Sequence, residues 1–237
     1  MAHKLLNESE PATLYIYDPI AKDSFWGDSV SAKDVIVALD SINAPQIQVR
    51  INSPGGDVFE GDAIYNALRR KAVQSRIIVC IDGVAASAAS FIAMAGDEIE
   101  IAENAFMMIH ESWTYAMGNK REVAKTIDLL SKVDVAIATM MSARSGQSIE
   151  DVTKWMEAET WFDSKEAVDK KFADRIGTKA NTQVTDATAR AAARWSKTPA
   201  AFKQSIESHM RTKTKEIEES PTPRLAALRQ RMRHVQK

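Results

Sequence analysis

Cysteine is nearly absent: Cys80 is the one example in 237 residues. That excludes a disulfide framework and a cysteine-rich zinc site. Histidine is scarce too, with His3, His110, His209 and His234 only. No two of these share a predicted helix face and HExxH is missing, so no metal ligand and no cofactor is expected. A P-loop lysine and the GxGxxG spacing are also missing, which leaves phosphate binding unsupported. No apolar run approaches the ~20 residues of a membrane span. The start, MAHKLLNESEPA, lacks the basic and apolar blocks of a signal peptide. The reading is a soluble, cytoplasmic protein with no membrane partner.

What is present is enough for a core, since 45% of the residues are hydrophobic, and global disorder is excluded. The net charge of −1 hides an asymmetry. Residues 1–177 carry a balance of −9 and residues 178–237 a balance of +8. All nine glycines lie at or before Gly177, so turn chemistry stops there. The expected organisation is an N-terminal arm (1–12), one α/β domain (13–177) and a basic tail (178–237), partly helical or disordered. In the tail, Leu225, Leu228, Met232 and Val235 fit one side of a basic amphipathic helix. A solvated arm, docking to an acidic partner and nucleic-acid contact remain open readings of that tail.

Strands and helices alternate through the domain. Strands are expected at Thr13–Tyr17, Gln46–Ile51, Arg76–Ile81, Glu98–Ala102, Phe106–Ile109 and around Trp161-Phe162. Asp82-Gly83 reads as a strand break, followed by the small-residue run Val84–Ser90 and a short helix to Ala95. Ser31 reads as an N-cap. The longest predicted helix is Asn119–Arg144, where Val123, Ile127, Leu130, Val133, Ile137 and Met140 recur at spacings of three and four.

Ser87 lies between a strand and a helix start, where free N–H groups and the positive dipole end favour a developing oxyanion. A tightly packed small-residue helix, with Ser87 and Ser90 bonding to backbone, explains the stretch equally. A serine nucleophile needs a base, and His110 is the one histidine in the predicted sheet region. The base needs an orienting carboxylate, for which Glu157, Glu159 and Asp163 are available. The loop Ser53-Pro54-Gly55-Gly56 offers unobstructed backbone N–H groups.

In order, Asn52-Ser53-Pro54-Gly55-Gly56, Gly83-Val84-Ala85-Ala86-Ser87, Met108-Ile109-His110 and Glu166-Ala167-Val168 resemble the proteolytic subunit of the Clp protease. The resemblance runs from about Leu14 to Ile176. The details INSPGGDVFEGDAIYNAL, DGVAASAAS and ETWFDSKEAV are similar to the phage and prophage head-maturation branch. It implies an α/β fold of the Clp/crotonase ββα superhelix type, with the long helix as a subunit-packing handle. Ser87 would be nucleophile and His110 general base. Gly56 and Ala88 would supply oxyanion N–H groups. Asp57, Val58, Phe59, Glu111 and Ser112 would border an extended peptide. A homo-oligomeric ring is implied, acting on peptide or protein substrates such as capsid or scaffold proteins.

Two departures stand out. The family usually places aspartate as third triad member, where this chain has Glu159, with Asp163 in reserve. The stretch before the first strand is short and polar, so processing without an ATP-driven motor is expected, an AAA+ unfoldase being the alternative. Two other functions are carried forward: a crotonase-like acyl-CoA hydratase or isomerase, and a catalytically inactive capsid-assembly protein on the same fold.

Overall fold

Runs of alternating or continuous β-branched residues build a parallel sheet, seen in a computed structural model that describes residues 12–22, 29–178, 188–189, 191 and 195–219. The N-terminal arm up to Pro11, the turn at Trp26-Gly27-Asp28 and the segment Leu225–Val235 lie outside the described residues. Strands β1 (Ala12–Ile16), β2 (Gln46–Ser53), β3 (Arg76–Ala86), β4 (Glu98–Ala102) and β7 (Arg175–Gly177) run parallel in the order β1-β2-β3-β4-β7. A further parallel strand, β5 (Phe106–Ile109), pairs with the far end of β3. Strand β6 (Thr160–Asp163) adds to it antiparallel.

The centre of this arrangement is β3, whose 11 residues serve two neighbours in succession. Ile78–Ile81 pair with β4, and Val84–Ala86 pair with β5. The expected break at Asp82-Gly83 is therefore not a break. Ladder bonds to β2 and β5 override the local turn preference, and β2 absorbs the mismatch as a register shift between Ile51 and Ser53. This continuation carries Ala85 and Ala86 to the brink of the functional turn.

Helices α1 (Ala32–Ser41), α2 (Val58–Lys71), α3 (Ala88–Ala93), α4 (Lys120–Ser145), α5 (Ile149–Glu157) and α6 (Ser164–Asp169) fill the connections. Ser31 caps α1 as expected, accepting from the Asp34 N–H. Ile47, Val49, Ile51, Ile77, Val79 and Ile81 point to one side of the sheet, into a core shared with Ile64, Leu68, Phe91 and Ile92. Helix α4 starts at a capping box of Asn119 and Glu122 and ends at left-handed Gly146. Its apolar stripe divides. Ile137, Ala138 and Met141 are buried on the domain, whereas Ile127 and Val135 stay 58% and 62% exposed.

Beyond Gly177, helix α7 (Ala200–Glu219) does not simply leave the body. Phe202 is buried against Val84, Ala86 and Met108, with Phe106, Trp161 and Trp195 packed around it.

The sheet face away from the core is polar. Asp82, buried, accepts from Arg50 Nε at 2.9 Å and from the Tyr17 hydroxyl at 2.5 Å, and also from Arg50 Nη2. Burial, then the Asp82 carboxylate, pushes the Tyr17 hydroxyl well above the usual phenol range. This cluster ties β1, β2 and β3 together just where β3 runs on past its expected end. Asp82→Ala strands the Tyr17 hydroxyl and a guanidinium that is still 31% exposed. The cost therefore falls below that of a fully buried broken pair, at about 2 kcal/mol. In a chain of this size that lowers Tm by roughly 4–8 °C. Thermal unfolding of the variant beside the wild type measures it, and a shift of under ~1 °C would mean that water screens the pair.

Candidate active site

The turn between β3 and α3 is held in an uncommon backbone state. Ser87 has φ 54° and ψ −124°, outside the basins that a side-chain-bearing residue prefers. Such a conformation costs about 1–3 kcal/mol and persists only where neighbours over-determine it. Here the Ser87 N–H donates to the Met108 carbonyl at 2.9 Å. Its own carbonyl accepts from the Ser90 N–H at 2.9 Å and the Ser90 hydroxyl at 2.6 Å. The Ser87 hydroxyl makes no cap bond to the helix. Of the two serines that a packed helix would bond to backbone, Ser90 does so and Ser87 faces elsewhere.

It faces His110. Ser87 Oγ and His110 Nε2 are 2.8 Å apart. Burial holds the imidazole below its ordinary pKa, against the opposing charges of Glu159 and Asp134. A neutral ring at pH 7 with the proton on Nδ1 leaves the Nε2 lone pair to take the serine proton. His110 follows β5 directly. The antiparallel register pairs Ile109 with Thr160, so the next step beyond each strand sets His110 against Glu159. Asp163 pairs with Phe106 at the other end, three residues away, where it caps α6 in a box with Glu166.

Glu159 itself is engaged elsewhere. Its carboxylate accepts from the Ser196 N–H at 3.0 Å, the Ser196 hydroxyl at 2.9 Å and the Lys197 N–H at 2.8 Å. The Trp161 indole lies at 3.5 Å, and His110 is not among the donors. Burial raises the carboxyl pKa, but these bonds outweigh it and hold the group below its ordinary value.

The loop Ser53–Gly56 presses on the serine turn from the other side. Gly55 has φ 82°, and a Cβ there would lie 2.4 Å from the Ala86 carbonyl and 2.7 Å from the Ser87 Cβ. At Gly56, φ 154°, a Cβ would meet the Ile20 carbonyl at 2.1 Å. Bonds from the Ile20 N–H to the Gly55 carbonyl and from the Asp57 N–H to the Ile20 carbonyl pin the loop. Ala88 is the first helical residue, and its N–H has no acceptor within the helix. Ser87, His110, Gly56, Phe59, Trp113 and Glu159 all open onto one cleft of about 1120 Å³. Asp57, Val58, Glu111 and Ser112 line it as well. Cys80 carries no rival nucleophile, because burial pushes its thiol up to about 11.

A family model described as Clp protease matches residues 11–180. The chain belongs to the Clp protease family. A relative from Ligilactobacillus salivarius, named ATP-dependent Clp protease proteolytic subunit, is 33% identical over 132 residues. That match covers 55% of this chain and 66% of the relative.

Within this Clp-family domain, the structure brings Ser87, His110, Gly56 and Glu159 to one cleft and leaves Asp163 apart. Sequence reasoning missed two contributors. Asp134 on α4 accepts from the Ser112 N–H at 2.7 Å, which ties the irregular segment after His110 to the long helix. Its signal was an acid beside the apolar stripe, between Val133 and Ile137. The other contributor is the Trp195–Lys197 segment, far off in sequence and with no motif of its own.

Labelling of Ser87 by a fluorophosphonate is expected to follow His110 deprotonation. Because the folded pKa is lowered, reactivity persists below the ordinary imidazole value and falls only as the ring protonates. Asp134→Asn removes a charge that favours the protonated ring, so the acid limb moves to lower pH. A limb moving to higher pH would overturn this account. Gly55→Ala should slow labelling at least about tenfold by displacing the turn, roughly 1.4 kcal/mol in the barrier.

Proposed function

We propose that the protein is a serine endopeptidase of the Clp type, with Ser87 as nucleophile, His110 as base and Glu159 as orienting acid. The observation that carries this reading is the 2.8 Å Oγ–Nε2 pair on a strained serine at the head of α3. Membership of the Clp protease family supports a serine-type peptidase in general.

In the mechanism, Ser87 Oγ attacks a peptide carbonyl carbon as its proton passes to His110 Nε2. The carbonyl oxygen gains the charge and is met by the N–H groups of Gly56 and Ala88. These are fixed in place before the reaction, so little reorganisation is needed as charge develops. Collapse expels the amine, which takes the proton from His110, and leaves an acyl-Ser87 ester. Water, deprotonated by the same imidazole, then hydrolyses it. An extended peptide lies between Asp57–Phe59 and Glu111–Ser112, held by main-chain bonds with modest sequence preference. Phe59, 64% exposed, and Trp113, 53% exposed, supply apolar contact along that path.

The phage and prophage head-maturation motifs favour capsid or scaffold proteins as substrates. The exposed Ile127 and Val135 on α4 favour assembly of copies into a ring. An oligomeric mass in solution is expected, and a monomer at micromolar concentration would remove the ring from this reading.

Fluorophosphonate labelling of wild type beside Ser87→Ala, with mapping of the labelled peptide, tests the nucleophile. Label on Ser87 that disappears in the variant is the expected outcome. Turnover of an acyl-CoA thioester without such labelling would favour the crotonase-like reaction. A folded oligomer that neither labels nor turns over thioester would favour the assembly protein.

A further inference from the structure

The carboxylate opposite His110 is held by a segment from beyond Gly177, and Trp195 of that segment lines the same cleft. Both carboxylate oxygens of Glu159 are taken. Ser196 gives its N–H and its hydroxyl to Oε2, and Lys197 gives its N–H to Oε1. The residues on either side anchor this grip. Trp195 meets Trp161 edge-on with ring centroids 5.1 Å apart, and Phe202 lies 5.6 Å from Trp161 and 5.9 Å from Phe106. Phe202 is buried on Val84, Ala86 and Met108, that is, on the strands that carry Ser87 and His110. Trp195 and Ala191 line the cleft together with Ser87 and His110.

We infer that residues 195–202 form an autoinhibitory latch, which takes the Glu159 carboxylate and so withholds it from His110. In the latched state Ser87 and His110 stay paired, but the imidazole lacks the acceptor that would fix its Nδ1–H tautomer and stabilise the imidazolium formed during attack. Lifting the segment strips three donors from the carboxylate and leaves it facing the ring across the β5–β6 register. The latch is reversible in principle, because Ser196 and Lys197 are exposed and the bonds exchange with water. The energy of docking sits in the aromatic contacts, so a ligand or a neighbouring copy that covers Trp161 competes with Phe202 for the same patch.

This inference rests on the peptidase reading, and the test separates the two. In the full-length chain, Phe202→Asp lifts the anchor, and Ser196→Pro independently removes two of the three donors while leaving the anchor. The rate of fluorophosphonate labelling at Ser87 is measured for both, with circular dichroism to confirm the fold. If the latch closes about nine molecules in ten, freeing it raises the rate roughly tenfold, since the rate follows the competent fraction. The same releases are repeated on Glu159→Ala, where no acceleration is expected because the withheld group is gone. An unchanged or slower rate in a folded Phe202→Asp or Ser196→Pro chain, beside a wild type that labels, overturns the latch and would make the segment a support for Glu159 instead. Equal acceleration on the Glu159→Ala background also overturns it, because the segment would then act by blocking access alone. Absence of label on Ser87 in every chain overturns the peptidase reading, and the latch with it.

Discussion

Two backbone segments approach each other at the Ser87 turn with no space for a side chain between them. Gly55 stands so close to Ala86, Ser87 and Ala88 that a methyl group would overlap all three. Much of the domain follows from keeping that contact. The β2 register shift delivers the Ser53–Gly56 loop, and Ser53 staples it by donating to the Asp18 carbonyl at 2.8 Å and accepting from the Gly55 N–H at 3.1 Å. Strand β3 runs on to Ala86 rather than stopping at Asp82, which sets the Ala86 carbonyl against Gly55, while Ala85 packs in the main core and Ala86 beside Phe202. The left-handed backbone of Ser87 costs about 1–3 kcal/mol. Its bonds to Met108 and Ser90, at about 1 kcal/mol each, offset a cost of that size.

The second half of the site is a problem of register. A histidine at the end of β5 and an acid at the start of β6 meet only because Ile109 pairs with Thr160. A slip of one residue would turn both side chains to the opposite face. Packing guards against that slip: Met107 and Ile109 face the main core, while Met108 faces the smaller cluster with Phe202. Asp134 adds a tether from α4 to the irregular segment just beyond His110. That hydrogen bond joins the long helix to the chain two residues beyond His110.

Local patterns made much of this visible in sequence. The apolar alternation of β2, the N-cap at Ser31 and the long stripe of α4 are short-range signals. The motifs around Gly56, Ser87 and His110 are compact enough to be read in order. What stayed hidden depends on contacts distant in sequence. Asp82-Gly83 looks like a turn until partners on both sides are known, and then it is the middle of the longest strand. Glu159 and Asp163 are equivalent acids on one short segment, and only the pairing of β5 with β6 separates them. Trp195 and Phe202 sit in a polar, basic stretch whose composition suggests solvent. Their role depends on an aromatic patch formed by Phe106 and Trp161, 55 residues apart in sequence.

Glutamate at position 159, where the family resemblance implies aspartate, bears on both halves of the proposed site. The extra methylene adds reach and one rotatable bond, so a carboxylate on a short β6 edge can turn to more than one set of donors. Its backbone is left-handed, φ 47°, which sets the side chain at the bend between α5 and β6 rather than along the strand. From that bend one direction leads to His110 and another to Ser196 and Lys197. The tail's donors are two N–H groups and a hydroxyl, all neutral, so each bond is of the modest kind that water can replace. An imidazolium forming during attack is a charged donor and would win the carboxylate once the aromatic anchor is lifted. On the proposed reading, glutamate suits a carboxylate shared between His110 and the tail.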